Sequence, residues 1–138
     1  MKKLLIISLS LFFATLGYAQ DQIAGKWNTA DNQGKVEIYK SKATYSGKIL
    51  SLKNGKNADG TDKTDKKNPD KSLRNKPIKG LVIVTGLQYK DGKWINGKVY
   101  DPESGRTYNC EVRLEDGKLK LKGKWGPFSR TQTWTRSK

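Results

Sequence analysis

The densest polar cluster of the chain is Tyr100-Asp101-Pro102-Glu103-Ser104-Gly105-Arg106-Thr107-Tyr108, which sets two carboxylates beside a guanidinium and two phenols. Paired carboxylates can move protons and hydrolyse glycosides. In that reading Asp101 or Glu103 works with Tyr108 and Arg106 as a hydrolase or lyase site. The same residues also spell a hairpin turn. Asp101 caps it, Pro102 presets φ and Gly105 supplies positive φ. Asp101 and Glu103 then share one turn instead of facing each other across a cleft, and both readings stay open on the residues alone.

A second acidic stretch, Asn57-Ala58-Asp59-Gly60-Thr61-Asp62-Lys63-Thr64-Asp65, suggests calcium at first sight. Its spacing is not that of an EF-hand loop, no bidentate Glu follows, and lysines crowd the segment. A solvated loop of mixed charge is the expectation, with no metal. The chain has no histidine and one cysteine, Cys110. That composition removes Ser-His and Cys-His nucleophile activation, the usual neutral-pH general base and imidazole-based metal sites. No cofactor is expected.

Residues 1–19 read as a cleaved export signal. Lys2 and Lys3 precede an apolar run, Leu4 to Leu16, too short to span a bilayer, and Gly17-Tyr18-Ala19 offers a small-x-small cleavage site. Setting those residues and their two lysines aside from 138 residues and a net charge of +15 leaves 119 residues and +13. The expected organisation is therefore a signal peptide over 1–19 and a single domain over 20–138, periplasmic or extracellular. One cysteine cannot form an internal disulfide, so packing supplies the stability, and Cys110 falls on an apolar strand face.

The elements that position these groups are strands. Apolar residues recur at every second position. Strands are expected over 23–28, 35–40, 43–52, 81–87, 93–100, 107–114, 118–125 and 129–136. Tyr45, Gly47 and Ile49 share one face. Residues 81–84 are apolar on both faces. Tyr108, Cys110, Val112 and Leu114 point one way. Leu119 and Leu121 point in, while Lys118, Lys120, Lys122 and Lys124 point out. Eight short strands with tight turns predict an all-β, eight-stranded antiparallel up-and-down barrel, which also removes exposed sheet edges. An open sandwich is the alternative. Glycines 47, 86, 97 and 123 inside strands are expected to serve sharp bending.

One segment breaks the rhythm. Residues 53–79 form a long polar connection. Its first half, 54–67, reads as a mobile flap that can lid one mouth of the barrel. Its second half predicts one helical turn with Asn68 as N-cap, Pro69 as the first helical residue and Asp70 complementing the dipole. Trp27 and Arg136 stand near the two ends of the domain. A guanidinium stacked on an indole there would close the barrel. Trp134 and Arg130 are the competing partners.

The pattern Gly25-x-Trp27 with an arginine on the last strand is similar to the calycin signature of lipocalins and fatty-acid-binding proteins. Tyr45-Ser46-Gly47-Lys48-Ile49, then Asn68-Pro69-Asp70 with Arg74 and Pro77, then Gly80-Leu81, resembles the exported bacterial family catalogued as domain of unknown function 2147. Residues 100–108 and 130–136 extend that resemblance over nearly the whole mature chain. It implies a lipocalin-like barrel and no catalytic assignment. The basic surroundings of Pro77 (Lys76, Ile78, Lys79) depart from the family pattern.

The leading expectation is a non-enzymatic exported barrel that binds a small amphipathic or apolar ligand. Tyr45, Ile83, Trp94, Tyr108 and Trp134 are the expected walls. Asp101, Glu103, Arg106 and Arg74 are the expected mouth residues. An interior filled by its own side chains is the competing outcome. A further alternative is an interaction module whose basic exterior holds an anionic envelope surface or a partner. No nucleic-acid partner is expected of an exported chain.

Overall fold

In the computed structural model, which describes residues 17–138, strands β1 to β8 close into one antiparallel up-and-down barrel in sequence order. The greater part of the expected export signal lies outside the described residues. The strands are β1 (Gly25–Asn28), β2 (Gly34–Ser41), β3 (Thr44–Leu52), β4 (Val82–Lys90), β5 (Lys93–Asp101), β6 (Arg106–Glu115), β7 (Lys118–Trp125) and β8 (Phe128–Arg136). The expected strands are all present, with boundaries shifted by a few residues, and the sheet is a barrel rather than a sandwich.

Alternation builds the core. Val36 and Ile38 of β2, Cys110 and Val112 of β6, and Leu119 and Leu121 of β7 are all buried, at two-residue intervals. Their neighbours on the opposite face are mostly lysines and glutamates, exposed or half-buried. A register shift in the β3–β4 ladder beside Gly47 changes the face presented at the start of β4. Val82 is left exposed, and Val84 is fully buried.

Two strand glycines serve close packing, not bending. A Cβ on Gly97 would lie 2.5 Å from Leu87 Cδ2 and 3.0 Å from Cys110 Sγ, and one on Gly47 would lie 3.2 Å from both Val36 and Val84. Side chains from the flanking strands fill the space that these glycines leave. Gly86 does match the bending role, since its φ of +73° is a left-handed conformation that an L-residue adopts only with strain.

The barrel has a closed end and an open end. The turns after β2, β4 and β6 gather at the closed end, where the 3-10 turn Asp21–Ile23 plugs the interior. Ile23 is fully buried and accepts a 2.9 Å hydrogen bond from Trp27 Nε1. The plug is tied down on three further sides. Trp94 Nε1 donates to Gln20 O at 3.0 Å. Tyr45 Oη donates to the Asp21 carboxylate. Arg136 donates from Nη1 to Ala24 O at 2.9 Å and from Nη2 to Gln22 O at 2.8 Å, with its guanidinium carbon 4.0 Å from the Trp27 ring centroid. Trp27 also pairs with Arg136 in the β1–β8 ladder, so the first and last strands meet as expected.

The long connection is pinned instead of mobile. Backbone bridges join Lys56 to Asp62 and Thr64 to Pro77. The buried Asp65 carboxylate accepts from Tyr100 Oη at 2.7 Å and from Asn68 Nδ2 at 2.8 Å. A clamped carboxylate inside the segment overrides its polar composition. The helical turn is present over Lys71–Leu73, and its cap is Asp70, whose carboxylate accepts from Ser72 N at 3.0 Å. Asn68 instead accepts from the Asp70 amide at 2.8 Å, forming a preceding Asx turn, so the helical start moves to Lys71.

Candidate functional site

The alternation that fills the closed half of the barrel continues upward without filling the open half. On β7 the inward positions after Leu119 and Leu121 are Gly123 and Trp125. On β8, reading up from Trp134, they are Gln132, Arg130 and Phe128. Gly123 has no side chain, and a Cβ placed there would meet only ordinary contacts, 3.8 Å to Tyr108 Cβ and 3.9 Å to Arg130 O. The space is a cavity of about 580 Å³ at the open end. Volumes of 300–1,000 Å³ are typical of ligand pockets. The interior is thus neither empty throughout nor filled throughout.

The cavity walls are mainly apolar. Leu121 and Trp134, both nearly fully buried, lie deepest, with Ile83, Val99, Tyr100 and Tyr108 on the sides. Trp125 and Phe128 form part of the rim. The seam between first and last strands contributes to the access. β1 pairs with β8 only at Trp27–Arg136 and Asn28–Thr135, and beyond that point β8 rises beside the 3-10 turn Ala30–Asn32. Thr29 lines the cavity there.

Two charged residues line the space, Asp101 and Arg130. The Asp101 carboxylate is committed to its own turn. Oδ1 accepts from Glu103 N at 3.0 Å and Oδ2 accepts from Ser104 Oγ at 2.8 Å. The turn reading of the 100–108 cluster therefore describes its hydrogen bonds. Glu103 is exposed and does not line the cavity. The Arg130 side chain makes no hydrogen bond or ion pair among the described residues. Gln132 Oε1 accepts from Trp134 Nε1 at 3.2 Å, which leaves the Gln132 amide nitrogen free to donate.

The expected site residues divide cleanly. Ile83, Asp101, Tyr108 and Trp134 come together around the cavity. Tyr45 and Trp94 do not. They sit in the packed end and anchor the plug, because their strand positions lie beside the β2–β3 and β4–β5 turns. Burial, and then the neighbouring Asp21 carboxylate, push the Tyr45 phenol above its ordinary pKa and keep it a hydrogen-bond donor. Arg74 donates from Nε to Asn68 O at 2.7 Å and closes its own loop instead of reaching the mouth. Arg106 lies 5.1 Å from the Trp125 ring centroid, on the rim and outside the cavity lining.

Each carboxylate of the 57–65 stretch has a separate partner. Asp59 accepts from Thr61, Asp62 pairs with Lys56 and Asp65 holds Tyr100. Sequence reasoning missed Gly123, Arg130 and Gln132. Extending the inward parity of Leu119–Leu121 by two positions, and that of Trp134 back by two and then four, would have found them.

Residues 25–136 match the pattern of a family described as an uncharacterized protein conserved in bacteria, DUF2147. Among solved structures, the chain is similar to HP1028 from the human pathogen Helicobacter pylori, a protein described as belonging to the lipocalin family. The TM-score is 0.72 at 27% identity, covering 84% of this chain and 83% of that one. Nothing among curated proteins matches the chain.

Proposed function

The chain belongs to the bacterial family DUF2147, and from that premise and its lipocalin-like barrel we propose that it is an exported carrier of a small amphipathic ligand. One observation carries the reading: a mainly apolar cavity of about 580 Å³ opens at one end of the barrel, and on its wall stands Arg130, whose guanidinium has no partner among the described residues. An apolar tail would lie against Leu121, Trp134, Ile83 and Val99. A polar or anionic head would stay near the mouth, where Arg130 and the Gln132 amide can donate to it. The proposed export is compatible with the place where the folded barrel begins. Removal of residues 1–19 would leave Gln20 to Ala24, the complete plug, in place.

Gly123 supplies the test. Gly123→Leu puts a branched side chain into the cavity from a position with room for its Cβ, and a strand favours a larger side chain over glycine. Gently isolated wild-type protein, extracted into organic solvent for mass spectrometry, should release an amphipath. The Gly123→Leu protein should release none while unfolding at the same or higher urea concentration. A fluorescent long-chain fatty acid, added to delipidated protein, should bind the wild type at micromolar concentration and bind Arg130→Gln at least tenfold more weakly. Failure of the wild type both to yield an extractable ligand and to bind the probe would remove the proposal. So would equal probe binding by Gly123→Leu.

A further inference from the structure

We propose that the open end of the barrel docks on an anionic lipid surface, with the tip of the β7–β8 hairpin entering the bilayer interface. The large apolar side chains left exposed among the described residues are Tyr18, Val82, Trp125 and Phe128. The last three stand at the open end. Trp125 is 53% exposed and Phe128 is 70% exposed. They pair directly across the turn Gly126-Pro127, so the hairpin ends in two aromatic rings. Aromatic rings, tryptophan above all, favour the headgroup level of a bilayer, where the ring is half desolvated.

Cations flank this tip. Arg106 stacks 5.1 Å from the Trp125 ring centroid. Gly105, its chain neighbour, packs against Lys67. Lys67 belongs to the pinned 53–79 segment, which carries nine basic residues against four acidic ones. Asp65 fixes that segment to Tyr100 at the same end, so its lysines stay beside the mouth. Lys124 is partly neutralised by Glu111 at 3.8 Å. An exposed aromatic pair with cations beside it matches the two attractions that hold a protein on an acidic bilayer, apolar insertion and headgroup charge. The same charge disfavours a second copy of this chain, because two basic ends would face each other.

The docking stands on the rim alone and does not depend on what occupies the cavity. It does place the cavity mouth at the bilayer, where an amphipath can pass between membrane and barrel. Co-sedimentation with phosphatidylglycerol vesicles at low salt should show binding at least tenfold tighter than to phosphatidylcholine vesicles, and added salt should weaken it. Trp125 is the exposed one of four tryptophans, so brominated lipid should quench part of the emission and leave the buried rings unquenched. Trp125→Ser with Phe128→Ser should reduce vesicle binding at least tenfold. Lys66→Gln with Lys67→Gln should reduce it several-fold, and all these variants should keep the wild-type unfolding midpoint because their side chains are exposed. The Gly123→Leu protein should bind vesicles like the wild type, which separates this inference from the carrier reading. Absence of binding to acidic vesicles, or binding that survives loss of both aromatic rings, would overturn it. Binding to soluble polyglutamate as tight as to vesicles, without quenching, would also overturn it and identify an acidic protein partner instead.

Discussion

Replacing Arg136 tests the closure of the barrel most directly. Its guanidinium makes hydrogen bonds of 2.9 Å to Ala24 O and 2.8 Å to Gln22 O, and covers the buried Trp27 ring at 4.0 Å. A hydrogen bond from a charged donor contributes about 1.5–3 kcal/mol, and solvent access to Arg136 lowers that to about 1 kcal/mol for each of the two. The stacked cation adds about 1 kcal/mol. Arg136→Met keeps an aliphatic cover on Trp27 but loses these contacts, so it should lose about 3 kcal/mol of stability, measured by urea unfolding with an unchanged m-value. A domain of this size shifts by roughly 3–5 °C per kcal/mol, so the Tm should fall by about 10 °C or more. Arg136→Lys restores the charge without the forked geometry and should recover only about 1 kcal/mol. Lys90→Met, an exposed change at a turn, should stay within about 0.5 kcal/mol of the wild type. Hydrogen exchange should accelerate at residues 21–28 in Arg136→Met before it does elsewhere. An Arg136→Met protein within about 0.5 kcal/mol of the wild type would refute the claim that this side chain fastens the plug and the seam.

The remaining expectations concern packing, the pinned segment and the thiol. Gly97→Ala drives a Cβ to 2.5 Å from Leu87 Cδ2 and should cost about 1–3 kcal/mol by overpacking, while Gly123→Ala, with contacts of 3.8 Å or more, should be close to neutral; paired urea melts decide it. Asp65→Ala strands the Tyr100 hydroxyl and should cost about 1–3 kcal/mol, with new cleavage between residues 53 and 81 in limited proteolysis. Burial pushes the Cys110 thiol up to about 12 from 9.0. The native chain therefore holds a proton that the unfolded chain releases. This contribution to stability is complete below pH 9 and is lost as pH rises from 9 towards 12. At pH 8 a thiol reagent should label the native protein far more slowly than the urea-unfolded protein.

The barrel was legible because its two-residue alternation is regular, and Trp27 and Arg136 carried the closure. Tyr108 and Trp134 were legible as inward residues of β6 and β8. The division of the interior into a packed half and a hollow half was not. It depends on which strand glycines have a neighbour to fill them. Gly97 is filled by Leu87 and Cys110, and Gly123 is left open, yet both are glycines at inward positions. Tyr45 and Trp94 have the composition of ligand walls, and only the height of their positions along the strands turns them into anchors for the plug. Residues 54–67 read as mobile because they are polar. Their order comes from one carboxylate, Asp65, whose partner Tyr100 lies 35 positions away, beyond the reach of any local pattern.

The link from Arg136 to Gln22 and Ala24 has a consequence for biogenesis. The bond between Arg136 and Gln22 spans 114 positions, almost the whole length of the folded chain. A polypeptide that emerges amino end first can assemble its hairpins in order, but it must wait for Arg136 before the ring can join. Non-local contacts of that kind slow folding. Until then the growing sheet presents two raw edges, and a chain cut short before Arg136 would lack the residue that joins them.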